Sequence, residues 1–241
     1  MNVAIIFAGG TGKRMNSRTL PKQFLELHGK PILVYTLEQF DSHPDIDAIV
    51  LVCVAEWMSH CQRLMDKFSL SKVAAIVPGG ETGMLSRFHG LQKAAQLYPP
   101  DTICLLHDGV RPLIDADLVR RNIECVRLHG SAVTVAPAIE TIAIGNPSGN
   151  GTIDAILDRS ACQLARAPQC FRLGDLMAAH EEAIARGEND CIDTAFLMQS
   201  RMKPLHTVLG PPENIKITTP MDFYFFRAVV EMRENSQIFG V

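Results

Sequence analysis

Three glycines and four cationic side chains crowd into the stretch from Gly9 to Lys22: Gly9, Gly10 and Gly12, then Lys13, Arg14, Arg18 and Lys22. Glycine backbone can offer N–H groups to an anion, and Lys13, Arg14 and Lys22 can add full positive charge. That combination suits a phosphate chain. Two well-known phosphate loops are excluded. A Walker loop needs Ser or Thr after its Gly-Lys, and here Arg14 follows Gly12-Lys13. A dinucleotide fingerprint needs a third glycine where this chain has Met15, whose bulk would spoil the close helix–strand contact. Two readings remain: a third kind of phosphate cradle, or a basic turn on the surface.

The cradle reading needs elements that aim this loop at a ligand. The preceding "NVAIIFA" is a predicted first strand. "DAIVLVCV", "KVAAIVP", "TICLLH" and "SAVTVAPA" are predicted as further strands. Between them lie predicted helices at "PILVYTLEQF", "EWMSHCQRLMDKF", about 83–97, and "DADLVRRNIECVRLHG", the last ended by Gly130. In the second of these helices Trp57, Met58, Cys61, Leu64, Met65 and Phe68 form a stripe read as core packing. Alternating strands and helices imply parallel pairing with right-handed crossovers. Ligands of such sheets sit at the carboxyl ends of the strands. The glycine loop, "PGG" at 78–80 and "HDGVRP" at 107–112 all follow predicted strands and should meet on that edge. Near the chain end, Thr219, Pro220 and Asp222 form a helix-start signal that places Lys216 just before the helix, facing the same edge.

From 139 to 158 the pattern changes to two alternating segments around a Gly/Asn/Pro/Ser turn. This predicts a β-hairpin too small for its own core, read as an arm on a single domain spanning 1–241 and as a dimer contact. A hairpin folded on its own subunit is the alternative.

Whole-chain properties narrow the class. The 241 residues are 47% hydrophobic, ordinary for a globular protein. A net charge of −3 gives no global field for nucleic acid. No apolar run reaches the roughly 18 residues a membrane helix needs, and the start lacks a basic signal-peptide region, so a cytoplasmic location with no membrane partner is expected. The seven cysteines form no C-x-x-C pair and read as small, reduced core residues.

The set "AGGTGKRM…LPKQFLELHGKPIL", "HDGVRP", "APQCF" and "ENIKITTP", in this order from Asn2 to about Glu231, resembles the polyol-phosphate cytidylyltransferases. The family includes ribitol-5-phosphate and 2-C-methyl-D-erythritol 4-phosphate cytidylyltransferases. The resemblance implies an α/β fold: a Rossmann-like, mostly parallel sheet flanked by helices, of the nucleotide-diphospho-sugar transferase type, with a projecting β-hairpin arm. It implies transfer of CMP from CTP to a polyol phosphate with release of pyrophosphate, aided by Mg²⁺, in a homodimer joined through the arm. On this resemblance Arg14, Lys22 and Lys216 are the catalytic cations. Ala8, Gly9, Gly10, Thr11 and Gly12 cradle the nucleotide, and Gly79, Gly80 and Ser86 match the cytosine pocket. Asp108 binds the ribose or the metal, with a turn acid paired to Arg111 as the plainer reading. Glu140, Thr141 and Arg159 match acceptor-binding positions, Arg159 reaching the partner subunit's substrate phosphate. His107 reads as a structural strand-end residue, and Asp193 and Thr194 match an acidic segment without an assigned role.

Three departures mark the chain: Gly83 where relatives carry arginine, Glu140 for aspartate, and Ala167 for the threonine of "TPQ". "HDGVRP" looks more like the ribitol branch than the Asp-Ala-Ala-Arg-Pro of the methylerythritol branch, which makes D-ribitol 5-phosphate the first choice of acceptor. Methylerythritol phosphate is the second choice. A nucleotide-binding regulator without catalysis, and a transferase using UTP or GTP on a sugar 1-phosphate, are the other readings.

Overall fold

The computed structural model describes residues 1–9, 20–146, 148–149, 151–202 and 204–239, with side chains to 235. The chain opens with β1 (Asn2–Ala8), a short β2–β3 pair (Glu26–Leu27, Lys30–Pro31) and α1 (Ile32–Asp41). Then follow β4 (Ala48–Cys53), α2 (Met58–Lys67), β5 (Val73–Pro78), α3 (Gly83–Leu97), β6 (Ile103–Asp108), α4 (Ala116–His129) and β7 (Ser131–Pro137). The later elements are β8 (Ala143–Gly145), β9 (Ile153–Ile156), β10 (Gln163–Arg172), α5 (Leu173–Ala185), α6 (Thr194–Gln199), β11 (Thr207–Leu209) and α7 (Pro220–Phe239).

Seven strands form one sheet in the order β11-β7-β10-β6-β1-β4-β5. β1 pairs in parallel with β4 and β6, and β4 with β5. β4, "AIVLVC", is buried along its whole length, as a parallel strand covered on both faces should be. In β1 the side chains alternate between two cores. Ala4, Ile6 and Ala8 face the layer of α1, α2 and α4. Val3 and Ile5 face the layer of α3, α5 and α6. The predicted stripe of α2 does pack in the first of these cores.

Local signals set the helix ends. Thr82 caps α3, accepting a hydrogen bond from the Leu85 N–H at 3.1 Å. Asp115 caps α4 likewise, and Gly130 ends that helix in the left-handed region at φ +80°. At α7 the Thr219 N–H donates to the Asp222 carboxylate at 2.7 Å while the Asp222 N–H donates back to the Thr219 hydroxyl.

The expectation of parallel pairing needs one correction. β10 runs antiparallel to both β6 and β7. Its first residues therefore lie at the edge where its parallel neighbours end, and bring Arg166 and Ala167 there. A third small core, including Val110, Ile217 and Phe226, fixes α7 and the segment before it against the loop after β6. The hairpin β8–β9 forms separately from the main sheet, as expected, and its strands are exposed on both faces. Ile144, Ile153 and Ile156 are among its exposed apolar side chains. The cysteines are all free, four of them buried. Among the described residues no helix is long and apolar enough to cross a membrane.

Candidate active site

The chain leaves β1 on one side to build β4 and β5, then crosses to the other side for β6. Such a reversal opens a crevice beyond the strand ends. A cavity of about 420 Å³ lies there, lined by Ala8 and Gly9 from the end of β1, Gly80 and Ser86 around the start of α3, Asp108 from β6, and Lys22 and Lys216. A smaller cavity of about 150 Å³ adjoins it, walled by Arg111, Arg166, Gln169, Asp193 and Thr194. Phe7, Arg87, Asp108 and Lys216 border both spaces and form the seam between them.

Asp108 is the hub of that seam. Its carboxylate accepts from Lys216 Nζ at 2.7 Å and from Arg111 Nε at 2.7 Å. Burial alone would raise its pKa, yet the charges and hydrogen bonds of Lys216 and Arg111 hold it well below the usual carboxylate range. It stays ionised at neutral pH and orients both cations. The plainer reading, a turn acid paired with Arg111, is what the structure shows, with Lys216 as a second partner. Lys22 is buried, and its Nζ donates to the carbonyl of Ile217 at 2.9 Å. Two cations from opposite ends of the sequence are thereby brought to one wall.

The loop after β5 is shaped for close approach. A Cβ on Gly80 would fall 2.5 Å from the Cβ of Leu85, so only glycine fits against the first turn of α3. Gly79 donates its N–H to the Cys53 carbonyl at 2.8 Å. The Ser86 hydroxyl accepts from the Gly80 N–H at 3.0 Å and donates to the Thr82 carbonyl at 2.9 Å. Ser86 therefore holds the pocket's shape. The Ala8 carbonyl accepts from Gln23 Nε2 at 2.7 Å, which ties the end of β1 to the turn carrying Lys22. His107 is buried, with Nε2 3.0 Å from the Arg111 carbonyl. Burial pushes its pKa down to about 4, so it is neutral and structural, as the sequence suggested.

Of the sequence-predicted site residues, the fold gathers Ala8, Gly9, Lys22, Gly80, Ser86, Asp108 and Lys216 at one crevice, and Gly79 stands beside it, bonded to the end of β4. Gly10, Thr11, Gly12 and Arg14, with Lys13 and Arg18, lie outside the described residues. Glu140, Thr141 and Arg159 are exposed on and beside the arm and line neither cavity of their own subunit; Arg159 Nη1 donates to the Ile139 carbonyl at 2.9 Å.

Sequence reasoning missed Arg87, Arg166 and Gln169. Arg166 Nη1 donates to the carbonyls of Pro212 and Asn214, at 2.8 and 3.0 Å, and Arg111 Nη1 also donates to Asn214. Gln169 Nε2 donates to Asp193 at 3.1 Å, while its carbonyl accepts from the Ala195 N–H at 2.8 Å. The one legible signal was the basic residue two places before the proline of "APQCF". The smaller cavity thus sets four cations, Arg87, Arg111, Arg166 and Lys216, against two carboxylates, Asp108 and Asp193. Such a pocket suits a small anion that also carries hydroxyl groups.

Among the described residues no cluster of three His, Cys, Asp or Glu could cage a metal. Asp108, an ionised carboxylate at the seam of the two cavities, fits a magnesium-like cation, which keeps most of its shell from waters and substrate phosphates.

Comparison with known proteins gives the chain's relatives. Residues 2–232 match the family model "IspD: 2-C-methyl-D-erythritol 4-phosphate cytidylyltransferase". A ribitol-5-phosphate cytidylyltransferase of Streptococcus agalactiae serotype V is 48% identical over 241 residues, covering 100% of both chains. A 2-C-methyl-D-erythritol 4-phosphate cytidylyltransferase of Clostridium botulinum is 35% identical, over 95% of this chain and 97% of that one. The crystal structure of 4-diphosphocytidyl-2C-methyl-D-erythritol synthase from Anaerococcus prevotii superposes with a TM-score of 0.80 at 27% identity, over 95% of this chain and 96% of that one.

Proposed function

The chain belongs to the IspD family of cytidylyltransferases, and we propose that it transfers CMP from CTP to D-ribitol 5-phosphate, forming CDP-ribitol and pyrophosphate. The observation that carries this reading is that Asp108 and Lys216 stand where a nucleotide-sized cavity, lined also by Lys22, meets a smaller, cation-rich one. The full-length similarity to a ribitol-5-phosphate cytidylyltransferase, higher than to the methylerythritol enzyme, supports ribitol phosphate as the acceptor.

The chemistry asks little of acid–base groups. A phosphate monoester is largely dianionic near neutrality, since its second pKa is about 6. An oxygen of the acceptor phosphate bonds to the α-phosphorus of CTP. The bond from the α-phosphorus to the bridging oxygen breaks, and pyrophosphate leaves with the electron pair. Positioning and charge neutralisation supply the rate. Lys216, steered by Asp108, stands at the junction and neutralises charge at the transferring group. Lys22 does the same from the nucleotide side, joined by Arg14 of the glycine loop. The Gly79–Gly80 backbone and the Ser86-braced turn receive the cytosine. A bound Mg²⁺ would supply further charge on the triphosphate, held by Asp108 and phosphate oxygens.

The acceptor side is completed by a second copy of the chain. The exposed isoleucines of the arm are its apolar contact, and Glu140, Thr141 and Arg159 reach the partner's acceptor. CTP and polyol phosphates are cytoplasmic metabolites, and the protein acts there. The test is pyrophosphate release with CTP and Mg²⁺ over an acceptor panel including ribitol 5-phosphate and methylerythritol 4-phosphate. Turnover with ribitol 5-phosphate at the highest kcat/KM is expected. Preference for methylerythritol phosphate would move the chain to the other branch. Nucleotide binding without turnover on any acceptor would leave the regulator reading.

A further inference from the structure

Arg87 occupies an unusual position for a cation. It lies in the second turn of α3, where helical side chains lean back toward the N-terminus. Its guanidinium runs toward Gly83, and a Cβ there would already touch Nη1 at 3.6 Å. Nη2 donates to the Cys191 carbonyl at 2.7 Å. Nε is buried and has no hydrogen-bond partner. No carboxylate among the described residues makes an ion pair with it, although Arg111 and Lys216 beside it are both paired. Arg87 also borders both cavities, as Asp108 and Lys216 do. A largely desolvated guanidinium that feels Asp193 and Asp108 only beyond ion-pair distance is costly, and it persists where an anion arrives to match it.

We propose that Arg87 is a phosphate-contacting residue, whose guanidinium holds the phosphoryl group at the junction of the two cavities as that group changes hands. The inference rests on the cytidylyl-transfer reading above and adds to it a residue that lies between nucleotide and acceptor. The planar fork of donors suits two phosphate oxygens at once, which the neighbouring Lys216 ammonium cannot match. The competing role is structural: Arg87 would only pin the 187–193 loop through the Cys191 carbonyl.

Arg87→Gln separates the two roles, because the amide still offers that carbonyl a donor but carries no charge. Turnover and, independently, calorimetric binding of inorganic pyrophosphate are measured, with hydrogen exchange of the 187–193 loop as the structural control. The expected result is a loss in kcat on the order of 10², pyrophosphate binding weakened about tenfold, and unchanged exchange in the loop. Full kcat together with full pyrophosphate affinity would overturn the proposal. So would losses in both that track faster exchange of the loop. Should the glutamine variant misfold, Arg87→Lys is read instead. It keeps the charge but not the fork, and kcat about tenfold below wild type is expected; unchanged kcat overturns the assignment. If the wild-type protein turned over no acceptor, the proposed reaction would fall, and pyrophosphate affinity alone would still decide the role of Arg87.

Discussion

The carboxyl edge of the sheet and the β8–β9 arm are built on opposite plans. At the edge, polar groups are fixed by partners far away in sequence: Lys216 on Asp108, Lys22 on the Ile217 carbonyl, Arg166 on the 211–214 turn. On the arm, both strands are exposed and isoleucines stand in solvent with no covering element of the same chain among the described residues. A two-stranded ribbon of this kind has little stability of its own. The edge gathers its cations within one chain. The arm offers only surface, and the proposed second copy is what would cover it.

That contrast can be tested, beginning with the edge. Lys216→Ala should lower kcat by about 10²–10³, the scale of one lost charge-stabilising donor, with thermal stability nearly unchanged because its ion pair is partly exposed. Near-normal turnover would remove Lys216 from the site. A second probe reads the edge through stability. Unfolded histidine binds a proton near pH 6.5, whereas buried His107 stays neutral until about pH 4. Between those values the unfolded state binds more protons, so the contribution of His107 is complete above pH 6.5 and drains away as pH falls toward 4. The span corresponds to on the order of 3 kcal/mol. Urea titrations of wild type and His107→Asn should show a shallower acid loss in the variant; equal slopes would contradict the buried neutral state.

The arm predictions are smaller. Arg159→Ala should reduce kcat/KM for ribitol 5-phosphate about tenfold while leaving CTP affinity intact. An equal loss of both would refute its assignment to the acceptor side. Ile153→Glu should shift sedimentation from dimer to monomer and change the stability of the subunit by no more than about 0.5 kcal/mol. A variant that stays dimeric would show that the second copy docks elsewhere.

Much of the edge was legible in the sequence because local rules govern it. β1, α3 and the Gly130 stop of α4 carry clean periodicity or caps, and the glycine and aspartate motifs follow strands as anion sites do. β10 was not legible. Its sequence QLARAPQCFR mixes exposed residues at 163–165 with buried ones from Ala167 to Phe171, so neither period appears, and a proline interrupts it. Arg87 was invisible for another reason. Its significance depends on Cys191, 104 residues away, and on a cavity that only the antiparallel β10 closes. The charges of Arg14 and its neighbours lie outside the described residues, so their part of the reading stays with the motif.

The hydrogen bond from Lys22 to the Ile217 carbonyl joins groups 195 positions apart. During synthesis the central strands can pair long before Ile217 and α7 leave the ribosome. A chain stalled late in translation would therefore hold a folded sheet and an incompetent centre, and activity would begin only when the final helix docks. Premature stop codons before Lys216 should yield protein that has a core but no turnover.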